Sequence, residues 1–266
     1  MPDDFAAALA AARPRLGRLG SRVIYFTTVG STNDVAAMLA GHDDAEGAVV
    51  VADAQTAGRG RRGRDWFSPP GSGLYVSVVL MPGRARNAAV ARATRLVTLA
   101  AGVALSEAVA AGTGLVTDLK WPNDLYIGRR KLAGILAEGA GGEGHAEAIV
   151  LGFGINVSAA AYPPALGDRA TSLESELGRP IDRAMLLAES LAALSRRYDD
   201  LLAGRFDAIL DAWRARAPGG TGTRVAWTTA SGSLSGTTAG LDDDGALLVR
   251  VGDRIERIVA GEVQWL

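Results

Sequence analysis

The stretch QTAGRGRRGRDW, residues 55–66, holds four arginines and three glycines in twelve residues. Guanidinium groups are forked, permanently charged donors that suit phosphate or carboxylate oxygens. The glycines predict a flexible loop that orders around a bound anion. A solvated basic turn or a nucleic-acid contact would use the same residue types, but Gln55 and Trp66 add the neutral donors and ring surface of a small-molecule pocket. We therefore predict one wall of a binding site for an anionic small molecule.

A second group of candidate residues lies in LKWPNDLYIGRRKLAGILAEG, residues 119–139. The pattern predicts a hairpin that turns at GRR, and a glycine in its second strand leaves room for a ligand to approach closely. The side chains that could act there are Lys120, Asn123, Asp124 and Lys131, and the glycine is Gly134. Surface charges around a turn would give the same pattern, so this stretch alone leaves a structural role open.

Two shorter motifs carry weaker signals. GSTND places Ser31, Thr32 and Asn33 between a predicted strand and a predicted helix, where hydroxyl and amide groups cap the first turn. Capping by one of these residues leaves another able to donate a hydrogen bond to a ligand. GFGINV, residues 152–157, lies in a predicted strand that its glycines are expected to break, and a bulge would explain it as well as a binding role.

Several chemistries are excluded by the residues that the chain lacks. There is no cysteine, which rules out a disulfide framework, thiolate metal ligands and a cysteine nucleophile. The two histidines, His42 and His145, lie in acidic or glycine-rich surroundings, so neither a Ser-His-Asp triad nor a histidine metal cluster can be assembled. No Walker-type GxxxxGK[ST] loop is present. Arginines and lysines would therefore hold a nucleotide, which suits attack of an already ionised carboxylate on ATP.

The chain as a whole is close to neutral, since 28 Lys+Arg and 29 Asp+Glu give a formal net charge of -1. This balance gives no overall field for nucleic acid or an anionic membrane, so any basic function must be local. No apolar run is expected to span a bilayer, and the N-terminal MPDDFAAALAAARPRLG lacks the basic region of a signal peptide. A cytoplasmic location follows as the expectation.

The elements that must position these residues mix strands with separate helices. Helices are predicted over 4–12, 31–40, 87–111, 183–202 and 206–217, and strands over 22–30, 47–55, 73–82, 116–127, 131–139 and 145–157. This arrangement indicates an α+β fold with a mixed or antiparallel sheet rather than strict βαβ alternation. APGGTGT, residues 217–223, is the predicted linker between a domain over 1–217 and a small all-β barrel over 223–266, with strands in 224–229, 234–242, 245–251 and 254–266.

Taken together and in order, STND, QTAGRGRRGRDWFSPPGSGLYVS, KWPNDLYI, KLAGILAE and GFGINV closely resemble the motifs of biotin protein ligases, from about residue 21 to the C-terminus. The resemblance implies a catalytic domain of the class II synthetase type followed by an SH3-like β-barrel. It implies that biotin and ATP give biotinyl-5'-adenylate and pyrophosphate, and that a lysine of a biotin carboxyl carrier domain then attacks the adenylate. The implied partners are biotin, ATP with Mg2+, and the carrier domain of an acyl-CoA carboxylase.

The resemblance also implies roles for individual residues. Biotin is implied to contact Ser31, Thr32, Asn33, Gln55, Gly58, Arg59, Gly60, Arg61, Lys131, Gly134, Gly152 and Gly154. ATP and the adenylate are implied to contact Arg64, Trp66, Lys131 and Asn156. The implied catalytic residues are Lys131, at the biotin carboxylate and the α-phosphate, with Arg59, Arg61 and Asp124. For Asp124, deprotonation of the incoming lysine and binding of Mg2+ both stay open.

Some members of this family carry an N-terminal winged helix-turn-helix that represses biotin synthesis, and the roughly twenty residues before the first core strand cannot hold one. We therefore expect a ligase without repressor function and without DNA binding. The nearest alternative is a lipoate-protein ligase of the same superfamily, although its motifs differ from GRGRRGRDW and KWPND. A nucleic-acid-binding module built on the arginine stretch is the second alternative, and it predicts strongly salt-dependent binding.

Overall fold

A computed structural model describes residues 1–42, 44–84, 90–140, 148–229 and 232–266. The helices are α1 (Asp3–Ala12), α2 (Thr32–Leu39), α3 (Val90–Thr113), α4 (Leu173–Leu177), α5 (Arg183–Leu202) and α6 (Phe206–Arg214). All five predicted helices are confirmed with small shifts at their ends, while the short α4 was not predicted. Residues 87–89 of one predicted helix lie outside the described residues.

The strands of the first domain form one mixed sheet. They are β1 (Arg22–Val29), β2 (Ala48–Gln55), β3 (Gly73–Leu80), β4 (Asp118–Lys120), β5 (Asp124–Ile127), β6 (Arg130–Ala140) and β7 (Ala148–Asn156). Their order across the sheet is β1-β2-β3-β7-β6-β5-β4. The first two strands run parallel, with α2 between them in the chain, and the other neighbours are antiparallel. This sheet confirms the predicted α+β class.

The central strands bury both of their faces, each against a different layer. On β3, Val76 and Val78 point into the large core formed with α3 and α5, whereas Val79 packs beside Ala36 of α2. Successive side chains of a strand point to opposite faces, so Ser77 belongs to the face that α2 covers. The candidate site lies on this α2 face of the sheet, beside the first turn of the helix.

Helix α3 overturns one expectation. By length and composition alone, Val90–Thr113 is apolar enough to cross a membrane, although no such run was expected. In the folded chain, 67% of its most apolar window is buried. It packs against α5, α6 and the sheet, so its apolar character is explained by its place in the core.

Two predicted strands differ from the structure. The strand expected over 116–127 is divided into β4 and β5, which pair as a hairpin around Trp121-Pro122-Asn123, because proline has no N–H to donate to a ladder. The strand expected to break at its glycines does not break: β7 is continuous, and both glycines pair with β3 and with β6. Residues 145–147 of that prediction lie outside the described residues.

The C-terminal strands form a separate antiparallel sheet. They are β8 (Thr221–Thr229), β9 (Gly232–Leu241), β10 (Leu247–Val251), β11 (Arg254–Ile258) and β12 (Val263–Trp265), in the order β11-β10-β9-β8-β12. The stretch 254–266 thus holds two strands. The predicted linker holds a 3-10 turn at Pro218–Gly220 and the first residues of β8. The domain boundary itself stays a prediction.

A hydrogen bond joins this sheet to the residues that connect β4 and β5. The indole N–H of Trp121 donates to the carbonyl oxygen of Gly245, in the turn before β10, over 3.0 Å. Within the first domain, the backbone N–H of Leu119 donates to the carbonyl oxygen of Arg216, just after α6, over 2.7 Å. The C-terminal sheet therefore lies against the elements that carry KWPND.

Candidate active site

The arginine stretch folds into a small hairpin. Arg59 and Asp65 face each other as a β-bridge, and the backbone N–H of Trp66 donates to the carbonyl of Gly58 over 2.9 Å. A 3-10 turn at Arg61–Gly63 forms the tip, where the final glycine has a φ of 71°. A side chain on Gly58 would overlap the carbonyl oxygen of Trp66. Turn geometry thus requires Gly63, and close packing requires Gly58. The sequence alone had suggested that the glycines make the loop flexible.

An inner cavity lies between this hairpin, the start of α2 and the glycine-bearing strands, with an empty volume of about 470 Å³ including its open mouth. The structure brings together eleven of the twelve residues predicted to contact biotin: Ser31, Thr32, Asn33, Gln55, Arg59, Gly60, Arg61, Lys131, Gly134, Gly152 and Gly154. The twelfth, Gly58, lies in the hairpin wall and outside this lining.

The first turn of α2 is capped from outside the helix. The backbone N–H and the hydroxyl of Thr32 both donate to Oε1 of Gln55, over 2.8 and 3.1 Å. Ser31 occupies the N-cap position, and its hydroxyl forms no capping hydrogen bond. The amide of Gln55 in turn donates to Ser68 over 2.9 Å, which fixes its orientation. Ser31 is thereby left facing the cavity.

Asn33 is held from two sides by residues that sequence reasoning missed. Its Oδ1 lies 2.6 Å from the hydroxyl of the fully buried Ser77, and its Nδ2 donates to Glu138 over 2.6 Å. Arg59 lies 3.4 Å from the same carboxylate and 2.6 Å from Asp34, whose hydrogen bond raises the pKa of Arg59. These contacts fix the amide of Asn33 and the guanidinium of Arg59 in the wall of the inner cavity before any ligand binds. In the sequence, only the alternation of side chains between the two faces of β3 and β6 could have indicated that Ser77 and Glu138 face the site.

The glycines of β6 and β7 form a flat floor. Gly134 and Gly154 are direct partners across the two strands. A side-chain carbon on Gly134 would lie 3.0 Å from the ring of Trp66, and one on Gly154 would overlap the indole. A side chain on Gly152 would overlap the amide of Asn33. Among the described residues, the indole N–H of Trp66 is buried against Gly154 and has no hydrogen-bond partner.

An outer cavity, of about 1740 Å³ with its open space, continues from the inner one. It is bordered by cations from four parts of the chain: Arg61, Arg62, Arg64, Lys120, Lys131 and Arg169. All four residues predicted to contact ATP line it: Arg64, Trp66, Lys131 and Asn156. Gly60, Arg61, Trp66, Asn123 and Lys131 line both cavities. The inner cavity thus has neutral polar groups beside α2 together with Arg59, Arg61 and Lys131. The outer cavity has the six cations together with the carboxylates of Asp65, Asp124 and Glu262.

Lys131 lies at the junction of the two cavities. Its Nζ is 2.7 Å from Oδ1 of Asp124 and 5.4 Å from the ring centroid of Trp66. A shift in register between β5 and β6 leaves Leu132 as an extra residue in β6. The shift turns Lys131 onto the same face as Gly134, three residues later, with its Nζ close above that glycine.

Arg61 is a half-buried cation directed at the same junction. Its Nη1 donates to Oδ1 of Asn123 over 3.1 Å. Burial lowers the pKa of Arg61, while the field of Asp124 raises it. In the part of the chain that the structure describes, no carboxylate forms an ion pair with Arg61. A cation left in this condition is stabilised by an incoming anion.

The remaining predicted residues of the outer cavity have protein partners. Arg64 pairs with both carboxylate oxygens of Glu262, which precedes β12 in the C-terminal domain. Asn156 donates from Nδ2 to the carbonyl of Thr171 over 3.0 Å, so its amide positions a neighbouring loop of the cavity.

Within the described ranges, no group of three or more histidine, aspartate or glutamate side chains could hold a metal ion. His42 follows α2 in an exposed turn, and His145 lies outside the described residues. Asp124 is the carboxylate at the junction, and it is already paired with Lys131. A metal here would need ligands from a bound substrate.

Comparisons with known proteins show the family of the chain. The model of the Biotin/lipoate A/B protein ligase family matches residues 25–156, and that of the Biotin protein ligase C terminal domain matches residues 221–265. The Biotin--[acetyl-CoA-carboxylase] ligase of Mycobacterium tuberculosis is 36% identical over 88% of this chain and 85% of its own. The bifunctional ligase/repressor BirA of Bacillus subtilis is also 36% identical, over 92% of this chain and 74% of its own.

Comparison with solved structures indicates the same family. The biotin protein ligase of Aquifex aeolicus, solved in complex with biotin and ATP, superimposes with a TM-score of 0.74 at 30% identity, over 92% of this chain and 99% of its own. The chain belongs to the Biotin/lipoate A/B protein ligase family, and its C-terminal match assigns it to the biotin protein ligases. This confirms the resemblance inferred from the motifs.

Proposed function

We propose that this protein joins biotin to a lysine of a biotin carboxyl carrier domain through biotinyl-5'-adenylate, at the expense of ATP. The observation that carries the proposal is that Lys131, Arg61 and Trp66 line both cavities. An acid in the inner cavity would direct its carboxylate at the same cations that a nucleotide in the outer cavity would approach with its α-phosphate. The names of the relatives, which include ligases of acetyl-CoA carboxylase, support this acceptor.

The inner cavity suits the ring system of biotin. Its wall combines the hydroxyl of Ser31 with the fixed amides of Asn33 and Gln55, which match a neutral group that both donates and accepts hydrogen bonds. The glycine floor admits a flat ligand beside the ring of Trp66. Lipoate has no such polar ring, so it would gain no hydrogen bonds from this wall.

In the first step, a carboxylate oxygen of biotin attacks the α-phosphorus of ATP. The bond between that phosphorus and the oxygen bridging to the β-phosphate breaks, and pyrophosphate leaves with the electron pair. The carboxylate is already ionised at neutral pH, so the step needs orientation and charge neutralisation rather than a base. Lys131 and Arg61 lie where the two anions would meet.

In the second step, the acceptor lysine attacks the acyl carbon of the adenylate. The bond from that carbon to the phosphate oxygen breaks, AMP leaves, and the amine loses a proton. Asp124 is a carboxylate within reach of the junction and is proposed to accept this proton. Mg2+, when bound with ATP, would neutralise phosphate charge, and Asp124 is also the residue that would hold it from the protein side. Both roles of Asp124 stay open.

The deciding experiment measures pyrophosphate release from ATP and Mg2+ by the purified protein, with and without biotin. The proposal expects strong stimulation by biotin and little by lipoate. Equal rates with and without biotin would contradict it, and preferential stimulation by lipoate would favour the alternative ligase. Steeply salt-dependent binding of DNA without any release would favour the nucleic-acid module. The absence of repressor function and a cytoplasmic location stay predictions.

A further inference from the structure

Lys120, the last residue of β4, has no role in the reaction described above. It lies directly across from Asp124 on β5, and its side chain borders the outer cavity but not the inner one. Burial lowers the pKa of Lys120, against the fields of Asp124 and Glu262, and the neighbouring Lys131 lowers it further. No carboxylate within the described ranges forms an ion pair with it. Its ammonium is therefore partly desolvated and open to an anion.

Two aromatic rings fix the position of this ammonium. The Nζ of Lys120 lies 5.1 Å from the ring centroid of Tyr126 and 4.7 Å from that of Trp265. The two rings lie 5.4 Å apart and are tilted by 43°. Such ring faces attract a cation and restrict the side chain without neutralising its charge. Lys120 is therefore held at the border of the outer cavity by ring faces rather than by a counter-ion.

One of these rings comes from the C-terminal domain. Trp265 ends β12, opposite Val225 of β8. Its indole packs so closely on the turn between the domains that a side chain on Gly219 would lie 2.8 Å from it. The position of Lys120 thus depends on how the second domain docks.

The composition of the chain singles out the same residue. Of its 28 Lys+Arg, 26 are arginines, and Lys120 and Lys131 are the two lysines. Both lie beside Asp124, at the border of the outer cavity. A compact ammonium acts on phosphate as a point charge, which a planar guanidinium does not reproduce. The two lysines of the chain therefore lie beside one carboxylate at the border of the outer cavity.

We propose that Lys120 binds the β- and γ-phosphates of ATP, which leave as pyrophosphate, and that Trp265 holds Lys120 in position for this contact. The proposal rests on the proposed function. Lys131 lines both cavities and would therefore contact the α-phosphate. Lys120 borders the outer cavity alone and would contact the β- and γ-phosphates, which lie farther along the triphosphate. The C-terminal domain thereby contributes to nucleotide affinity through a ring that positions a lysine of the first domain.

The test compares the binding of ATP, AMP and inorganic pyrophosphate by the full-length protein. Lys120→Met is expected to weaken ATP and pyrophosphate binding by about tenfold or more, with AMP and biotin changed less than about twofold, because AMP lacks the phosphates that Lys120 contacts. Equal loss of ATP and AMP affinity would make the residue structural, and unchanged affinity for all three ligands would overturn the proposal.

The positioning role of Trp265 is tested with a pair of variants. Trp265→Leu removes the ring and is expected to weaken ATP relative to AMP by about threefold, whereas Trp265→Phe keeps a ring face and should rescue most of the loss. Biotin affinity and thermal unfolding show whether each variant folds. If Trp265→Leu does not fold, the ratio of ATP to AMP affinity in Trp265→Phe is compared with that in Lys120→Met. An ATP to AMP ratio unchanged in Trp265→Leu would overturn this role. Binding needs no turnover, so these results are separate from the biotin-dependent release that tests the proposed function.

Discussion

Lys131 and Asp124 form an ion pair of 2.7 Å at the point where the two cavities meet. The pair depends on the extra residue in β6, because regular alternation would turn Lys131 away from the face that carries Gly134. The same pair joins the residue expected to neutralise the reacting phosphate to the residue expected to serve the second step.

Replacing Lys131 with alanine should remove most of the adenylate formation. Loss of one pre-positioned charged donor costs about 10²–10³-fold in kcat, and Lys131→Ala should reach that range. The measurement is single-turnover conversion of ATP and biotin to adenylate, with biotin affinity as the check on folding. Turnover within threefold of the unmodified protein would remove Lys131 from the mechanism.

Asp124→Asn should affect the two steps differently. The amide keeps the shape but accepts no proton, so transfer from preformed adenylate to the acceptor should slow by about 10²-fold or more, the range of general base catalysis. Adenylate formation should fall less, by about tenfold or less. A loss confined to the first step, and relieved by higher Mg2+, would instead assign Asp124 to metal binding.

Arg61→Ala should speed the escape of the adenylate. Arg61 is a half-buried cation without a carboxylate partner in the described chain, so it is free to hold the adenylate phosphate. Leakage is measured as biotinylation of a bystander protein in the absence of the acceptor, and we expect an increase of about tenfold, because a charge-assisted contact is lost. Arg129→Ala is the matched control, since Arg129 is exposed in the turn between β5 and β6 and lines neither cavity. Equal leakage from both variants would contradict the specific role of Arg61.

Gly152→Ala should weaken biotin binding while the chain still folds. The added methyl would overlap the amide of Asn33, which Ser77 and Glu138 hold in place. Overpacking of this kind costs about 1–3 kcal/mol of folding stability. The displaced amide of Asn33 should weaken biotin binding by roughly tenfold in Kd, the loss of about one hydrogen bond. Gly139→Ala on β6 is the control, because its added carbon meets open space. Calorimetric titration with biotin distinguishes the two, and equal affinities would contradict the proposed position of the ligand.

Much of the fold and site was predictable because the motifs are local. The helix over 183–202 and the strands around each motif follow from residue periodicity. The predicted strands also place the glycines and cations of the site within or beside the strands that carry them. Predictions failed where a distant partner intervenes. The first turn of α2 is capped by Gln55 from β2, which the motif itself does not reveal, and β7 does not break, since its glycines are paired on both sides.

By itself, the sequence determined the residue types of the site, their order and the family to which they belong, because each motif is a short continuous segment. Only the tertiary structure decided which groups face one another. The pair of Arg64 and Glu262 joins residues 198 positions apart, and the position of Lys120 depends on a ring from the last strand. Such contacts follow from strand order, a local bulge and domain docking, which are fixed by the packing of the whole chain rather than by any single segment.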